Sequence, residues 1–392
     1  MHYAVPRILH DAGLLEVLYT DICAVKGWPR LFGIIPRRLL APTLKRLLGR
    51  VPKGIPPRRI VSFTGTGLSY AFARSRVRNV EDAMEVYISF GEQFCNKVAE
   101  AGLGKATAIY TFNSAGLELM QAAKQAGLRT IMEQTSSPRA LELEVFNSAK
   151  AKYPEWAEES TYGEFNRKFI FREEEEWKYA DYIVCGSQHV ANGIAKRGGP
   201  REKCRVVPYG VDDFFKIKRS QRRPGPVRVL TVGHVTLQKG APIVWDIARL
   251  VGESAEFRMV GHVALSESIL QNKPANVTLT NQIPRSEILE HYGWADIFLL
   301  PSLSEGSATV TYEAIRAGLP VICTPETGSV VTDGVDGFVV PLFDTEAAAK
   351  VIVECAESTD LLHSLQSNAQ KKSDDLSLDA YRNRLLAMVE TL

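Results

Sequence analysis

The chain has 392 residues, too many for one ordinary core, so we expect two domains of roughly 150–200 residues each. Its hydrophobic content of 45% and charged content of 23% favour neither a disordered nor a fibrous class, and its net charge of +2 favours no class of partner. No stretch approaches the roughly 18–20 apolar residues of a transmembrane helix, and we expect no signal peptide. The six cysteines form no Cys-x-x-Cys pair, which favours free thiols in a reducing, cytoplasmic compartment.

Strand-like apolar runs alternate with helical patterns, which predicts parallel sheets built from βαβ units. In the first half, strands are predicted near 14–19, 60–63, 107–112, 129–133 and 181–185, and helices over 84–101, 115–126, 164–179 and 188–197. In the second half, strands are predicted near 227–232, 256–260, 276–280, 296–300, 320–323 and 337–340, and helices over 241–251, 285–293, 308–317, 345–357 and 376–391. The pattern indicates an α/β protein with two doubly wound domains.

A polar, proline-bearing stretch over 212–226 separates the two series. We therefore predict an N-terminal Rossmann-like domain over 1–212, a C-terminal one over 213–375, and a helix over 376–392 that crosses back to the N-terminal domain. Residues 1–13 have a helical pattern, although a doubly wound domain normally opens with a strand. We expect either a reading frame that begins upstream or a domain that tolerates the missing strand.

The segment 28–59 is basic and apolar, and no acidic residue lies between Asp21 and Glu81. Leucines recur at helical spacing over 37–49, and basic residues are available for another face. This is the composition of an interfacial membrane helix, which predicts peripheral membrane contact. The alternative is that the apolar face packs on the N-terminal domain and the bases are solvated. No recognition module accompanies the bases, so we expect no nucleic-acid partner.

Residues 301–322 place a polar loop and a helix between two buried strands. The helix is predicted to begin near Ala308, with the backbone N–H groups of Ser307, Ala308 and Thr309 facing outward, an arrangement that binds phosphate. Glu313 lies on the core-facing side of this helix, where a carboxylate needs donors such as sugar hydroxyls. Glu305 lies at the mouth of the same pocket. The alternatives are that Glu313 caps backbone or pairs with a base, and that Glu305 is a solvated loop charge.

Glu305 and Glu313 form a Glu-x7-Glu pattern, in which the chain resembles the retaining glycosyltransferase family 4. The similarity extends through ordered motifs at 180–212, 227–240 and 328–341. It implies the GT-B architecture, in which two doubly wound Rossmann-like domains face a central cleft. It also implies transfer of a sugar from a nucleotide-diphosphate sugar to an acceptor, with retention of the anomeric configuration.

The resemblance implies roles for individual residues of the C-terminal domain. Glu313 would bind the donor ribose, Glu305 would contact the donor sugar near the reacting carbon, and Lys239 would contact the diphosphate. The remaining donor-binding candidates are Gly233, His234, Gly261, Ile283, Gly306, Ser307, Ala308 and Thr309. His234 stands where the family usually has arginine, and imidazole is shorter and only partly charged. If His234 contacts the diphosphate, either the stabilisation of the diphosphate is reduced or another basic residue supplies it. The alternative is that His234 is an ordinary turn residue.

The N-terminal domain departs from the family, which typically has a histidine after the strand at 129–133. Glu133 or Gln134 occupies that place here and could hydrogen-bond a sugar hydroxyl; the alternative is a polar strand end that meets solvent. Asn113, after the strand at 107–112, is a parallel candidate, because ligands bind at the carboxyl edge of such sheets. We assign Glu133 and Gln134 to the catalytic side, and Asn113 and Gln134 to the acceptor side.

The chain contains no Asp-x-Asp and no metal-ligand spacing, so we expect neither a metal nor another cofactor beyond the nucleotide-sugar co-substrate. The acceptor expected is a saccharide or, if the membrane contact holds, a lipid-linked saccharide at the inner face of the cell membrane, in envelope, polysaccharide or glycolipid assembly. Two alternatives stay open. One is a non-catalytic nucleotide-sugar-binding subunit, and the other is a GT-B epimerase or hydrolase of the nucleotide sugar.

Overall fold

The structure is a computed structural model that describes residues 3–27, 29–30, 44, 47–156, 164–217 and 225–391. Most of the helix predicted over 37–49, together with Trp28, lies outside the described residues, as does the middle of the stretch 212–226. The membrane contact and the domain linker therefore stay predictions.

The chain divides into two compact units. The first unit comprises Met1–Glu133 and Ser160–Val184, and the second comprises Gln134–Glu159 and Cys185–Leu392. The predicted domain bounds at 212/213 and 375/376 follow from composition and resemblance, whereas the two units reflect the compactness of the folded chain. The bounds stay predictions.

The first half of the chain forms two small sheets. β1 (Leu18–Thr20) pairs in parallel with β2 (Ile60–Ser62). A four-stranded sheet has the order β3 (Ala108–Phe112), β4 (Arg129–Gln134), β5 (Tyr182–Cys185), β6 (Cys204–Val206), with β3 and β4 parallel. The helices are α1 (Ala4–Asp11), α2 (Thr64–Ser75), α3 (Val80–Ala101), α4 (Leu117–Gln125), α5 (Arg139–Lys152), α6 (Glu164–Tyr179) and α7 (Gln188–Lys196). The strands β2 to β5 are confirmed within two residues, whereas β6, α2 and α5 were not predicted and the first strand starts four residues late.

The second half of the chain forms one parallel sheet. Its strands are β7 (Val227–Val232), β8 (Ala255–Val260), β9 (Val277–Thr280), β10 (Ile297–Leu300), β11 (Val321–Cys323) and β12 (Gly337–Val339). The helices are α8 (Ala241–Val251), α9 (Glu267–Gln271), α10 (Ile288–Trp294), α11 (Thr309–Arg316), α12 (Thr345–Glu357), α13 (Thr359–Lys372) and α14 (Leu378–Glu390). All six strands are confirmed within one residue, and α9 and α13 were not predicted.

The strand order of this sheet is β12-β11-β10-β7-β8-β9, and every neighbouring pair is parallel. The order in the chain reverses between β7 and β10. In open α/β sheets, ligands bind outside the carboxyl ends of the strands at such a switch point. The fold therefore directs attention to the loops that follow β7 and β10.

β10 is apolar throughout and β7 is apolar at four of its six positions, because helices cover both faces of a parallel sheet. All four residues of β10, Ile-Phe-Leu-Leu, are at most 1% exposed. The helix α8, which follows β7, buries eight of its eleven residues, Trp245 among them. This packing holds the carboxyl ends of β7 and β10 in a fixed register (Ile297 with Val229, Phe298 with Leu230).

The C-terminal helix α14 is held within the second unit. Arg384 donates hydrogen bonds to the carbonyl oxygens of Pro208 and Tyr209, each at 3.0 Å. A Cβ added at Gly210 would lie 2.4 Å from the carbonyl oxygen of Ser377, so the two backbones touch there. The predicted return of this helix to an N-terminal domain stays a prediction.

All six cysteines are free thiols, as predicted, and all six are buried. Among the helices that the structure describes, none is both long and apolar enough to cross a bilayer.

Candidate functional site

Lys239 and Glu305 meet at the switch point of the second sheet. Lys239 lies in the loop between β7 and α8, and its Nζ forms an ion pair with Oε1 of Glu305, in the loop after β10. Ser302 Oγ donates to the same carboxylate oxygen at 3.1 Å. The loops also join through their backbones, because the Leu303 N–H donates to Gln238 O at 2.9 Å. The topology thus places a partly buried cation and anion where such folds bind ligands.

Two glycines form the floor beside this pair. Gly233 and Gly261 follow β7 and β8 and have φ angles of 147° and 154°, which side chains rarely adopt. A Cβ added at Gly261 would lie 1.9 Å from the Gly233 carbonyl oxygen, so the two backbones need the absence of a side chain. A Cβ at Gly233 would lie 3.7 Å from Cδ and Cε of Lys239, so the stem of this lysine packs over bare backbone.

Gly306 is enclosed by protein. A Cβ added there would lie 1.9 Å from the Thr135 carbonyl oxygen, and the Gly306 carbonyl accepts a hydrogen bond from Ser187 Oγ at 2.5 Å. Gly328 approaches the same carbonyl so closely that an added Cβ would lie 2.4 Å from it. All four residues belong to the second unit. Close packing of the chain therefore explains this glycine without a ligand.

The start of α11 differs from the expectation in one respect. The helix begins at Thr309, and the Ala308 N–H donates to the Thr327 carbonyl at 3.2 Å. The prediction that this N–H faces outward is therefore wrong, because the turn after β11 covers it. Ser307 is buried, and its Oγ donates to the Gly328 carbonyl at 3.0 Å and lies 2.6 Å from the Tyr312 hydroxyl oxygen.

Glu313 is 8% exposed on the core-facing side of α11. Its Oε2 accepts a hydrogen bond from the Tyr292 hydroxyl at 2.9 Å, and its Oε1 lies 3.6 Å from a guanidinium nitrogen of Arg285. Burial raises the pKa of Glu313, although the Tyr292 hydrogen bond and the Arg285 charge act to lower it. The alternative interpretation was that Glu313 pairs with a basic residue, and Arg285 is that residue. Ile283 is half-buried, two residues before Arg285 in the same loop.

Three residues of this site were not predicted. Arg285 and Tyr292 contact Glu313, and His262 lies beside His234 with ring centroids 5.7 Å apart. The only sequence signal for His262 is its position directly after Gly261, which follows β8. Tyr292 resembles an ordinary core residue of an amphipathic helix, and Arg285, at the start of the helix predicted over 285–293, resembles a solvated basic residue.

The candidates of the N-terminal half are buried. Glu133 is 4% exposed and accepts a hydrogen bond from the Tyr110 hydroxyl at 2.6 Å. Asn113 Nδ2 donates to Glu173 Oε1 at 3.2 Å, and Gln134 Nε2 donates to the Ser136 carbonyl at 3.2 Å. The alternative that Glu133 and Gln134 meet solvent is therefore wrong.

A fully buried carboxylate, Glu176, fixes the loop after β3 in the first unit. Its two oxygens accept hydrogen bonds from the backbone N–H groups of Ser114 and Gly116. Ser114 has a left-handed φ of 63°, an uncommon conformation for a residue other than glycine. Burial raises the pKa of Glu176 to about 7, even though both N–H donors and the nearby Arg172 act to lower it. The acidic run that ends at Glu176 gave no sign of this role.

The fold of the whole chain is of the GT-B class, with two Rossmann-like domains. The structure is similar to that of HepE from Anabaena in complex with UDP and glucose, with a TM-score of 0.62 and 16% identity. The alignment covers 96% of this chain and 100% of that one. At this identity the likeness concerns the fold alone.

The sequence comparisons concern mainly the second half of the chain. Residues 226–358 match the family described as Glycosyl transferases group 1. The amylovoran biosynthesis glycosyltransferase AmsK of Erwinia amylovora is 29% identical over 178 residues, which are 41% of this chain and 44% of AmsK. The capsular polysaccharide biosynthesis glycosyltransferase CapM of Staphylococcus aureus is 26% identical over 37% of this chain and 40% of CapM. The chain thus spans less than half the length of either relative.

Proposed function

We propose that the chain is a retaining glycosyltransferase of family 4 that transfers a sugar from a nucleotide-diphosphate sugar to a saccharide or lipid-linked saccharide. The observation that carries the proposal is the Lys239–Glu305 pair at the switch point, with the buried carboxylate of Glu313 in the adjoining helix. The names of AmsK and CapM and the UDP and glucose bound to HepE support it. Polysaccharide or glycolipid assembly, on the cytoplasmic side of the membrane, is the setting we propose.

The proposed chemistry needs a group that stabilises the departing diphosphate. As the bond between the anomeric carbon and the phosphate oxygen breaks, negative charge grows on the diphosphate, and the ammonium of Lys239 neutralises it. The acceptor oxygen forms its bond to the anomeric carbon on the same face, and its proton passes to the leaving phosphate oxygen. Glu305 orients the donor sugar, Glu313 binds the ribose hydroxyls, and no enzyme nucleophile forms a covalent bond.

We assign the acceptor side to Asn113, Glu133 and Gln134, which lie in or directly after β3 and β4. A lipid-linked acceptor would be approached through the basic segment 28–59. We propose that the reaction needs no metal, and turnover that persists in excess EDTA would support this. Loss of turnover in EDTA, restored by a divalent cation, would contradict it.

Calorimetric titration of UDP, GDP, ADP and TDP into the purified chain tests the donor site. We expect one of them to bind, and the double variant Lys239→Ala/Glu313→Ala to lose at least about tenfold in affinity, as expected when contacts to charged groups are removed. The matched control is Lys350→Ala, because Lys350 is an exposed lysine on α12 that pairs only at the surface with Glu354. If none of the four nucleotides binds, the proposal is wrong.

Retention and catalysis need a second measurement. The chain is incubated with a nucleotide sugar that carries the same base as the diphosphate that binds, together with saccharide or lipid-linked saccharide acceptors. NMR of the product then gives the anomeric configuration. A product with the donor's configuration supports the retaining reaction, and an inverted product contradicts it. Binding without transfer to any acceptor would favour the non-catalytic subunit, whereas free sugar or an epimer as the product would favour the hydrolase or epimerase.

A further inference from the structure

The loops that follow β7 and β8 continue side by side beyond the strands. The Val235 N–H donates to the His262 carbonyl at 2.9 Å, and Val235 and Val263 pair in a parallel bridge. Before them, Gly233 and Gly261 approach so closely that a side chain at Gly261 would collide with the Gly233 carbonyl. The residue after each glycine is a histidine, so the hydrogen-bonded loops bring His234 and His262 together.

The two imidazoles form an exposed pair on the ligand-binding edge of the sheet. Their ring centroids are 5.7 Å apart with an interplanar angle of 71°, and both residues are exposed. The stem of Lys239 lies over Gly233, directly before His234. Since the Lys239 charge is paired with Glu305 here, the imidazoles add nitrogen donors that this ion pair does not supply.

We propose that His262 acts with His234 as a second imidazole ligand of the donor's diphosphate, and this proposal rests on the proposed function. An imidazole donates through a ring N–H, so two adjacent rings can contact two non-bridging phosphate oxygens. Both imidazoles are exposed, so the phosphates can reach them.

The test compares a nucleoside diphosphate with its nucleoside. The probes are whichever of UDP, GDP, ADP and TDP binds the parent chain and the matching free nucleoside, both measured by calorimetry. The variants are His234→Ala, His262→Ala, the double variant, and His262→Gln, which keeps an N–H donor. His363→Ala is the matched control, an exposed histidine on α13.

We expect each single alanine variant to lose about tenfold in diphosphate affinity, the scale of one hydrogen bond to a charged group, and the double variant to lose more. Nucleoside affinity should stay within about twofold of the parent, and His262→Gln should keep most of the diphosphate affinity. His363→Ala should match the parent with both probes.

Three results would overturn the proposal. Unchanged diphosphate affinity in His262→Ala would remove His262 from the diphosphate site while leaving the proposed function intact. An equal loss for diphosphate and nucleoside would mean that His262 only supports the loop. If the parent binds none of the four diphosphates, the proposed function and this proposal fail together. Binding by the parent with no change in His262→Ala is a different result, in which this proposal fails alone.

Discussion

Lys239 and Glu305 form an ion pair between the loops that follow β7 and β10, the two strands at which the chain order of the second sheet reverses. Both side chains are partly buried, so solvent screens the pair less than it would a surface pair. Each charge satisfies the other. A diphosphate that binds Lys239 must therefore compete with Glu305 for the ammonium group.

This competition predicts that Glu305→Gln and Lys239→Ala have different effects on the binding of the nucleoside diphosphate. Glu305→Gln removes the competing charge, so its affinity for the nucleoside diphosphate should equal or exceed that of the parent, while transfer should fall about 100-fold because an oriented group near the reacting carbon is lost. Lys239→Ala should weaken both binding and transfer. Calorimetry measures the binding, and release of nucleoside diphosphate from the nucleotide sugar measures the turnover. Transfer by Glu305→Gln at the parent rate would contradict the role of Glu305.

The buried carboxylate of Glu313 is expected to lower the stability of the fold as the pH rises, although it contributes to nucleotide binding. Because its pKa is raised above the ordinary 4.5, its contribution to stability is present below about pH 4.5 and is lost as the pH rises through the raised value. Glu313→Gln keeps an acceptor for Tyr292 and removes the buried charge. We therefore expect this variant to gain stability relative to the parent as the pH rises toward 7, and to bind the nucleotide more weakly.

Chemical denaturation at several pH values, together with nucleotide titration, checks this prediction. Tyr292→Phe is the complementary variant, because it removes the hydroxyl that donates to the Glu313 carboxylate. It should lose about 1–3 kcal/mol of unfolding free energy, the usual effect of an unpaired buried polar group. A Glu313→Gln variant less stable than the parent near pH 7 would show that Glu313 stabilises the fold as a carboxylate.

The accuracy of the sequence-based prediction follows the strength of the local pattern. The bounds of β7, α8 and α12 were predicted as observed, because each is a clear apolar run or amphipathic period with marked ends. The helix α5 was missed: only Leu143 and Ala149 of its fourteen residues are buried, so it has hardly any apolar stripe. Local periodicity therefore finds the elements that bury most of one face.

The site was predicted only as far as its motif extends. Lys239 and Glu305 were expected at one site, and the structure brings their side chains together. The contact of Tyr292 with Glu313, and that of His262 with His234, depend on how separate segments pack, which periodicity does not specify. Glu176 lies in an acidic run typical of a solvated face, yet it is buried because the amides after β3 need acceptors.

Gly261 predicts a large effect from one added methyl group. Gly261→Ala would place a Cβ 1.9 Å from the Gly233 carbonyl at a φ of 154°, so the loops after β7 and β8 would have to separate. We expect a loss of more than about 2 kcal/mol of unfolding free energy, together with loss of nucleotide binding.

Gly293→Ala is the matched control for that substitution. Gly293 is exposed in α10, and a Cβ there would meet nothing within 4 Å, so alanine should stabilise the protein by up to about 1 kcal/mol. Thermal unfolding of both variants measures the difference. Equal stability of the two variants would mean that the close approach of Gly233 and Gly261 is dispensable.

Glu176 predicts a pH-dependent stability that one substitution removes. The pKa of this carboxyl is about 7 in the folded chain and 4.5 ordinarily, so between these values the unfolded chain has lost the proton that the folded chain keeps. Stability therefore falls as the pH rises through this range. Glu176→Gln lacks the titration, so from pH 4.5 to 7 its unfolding free energy should rise relative to that of the parent by on the order of 3 kcal/mol.

Glu175→Gln, in the same helix, is the control, because Glu175 pairs with Lys178 at the surface. Urea unfolding across this range measures both variants, and a Glu176→Gln profile parallel to the parent's would exclude Glu176 as the group responsible.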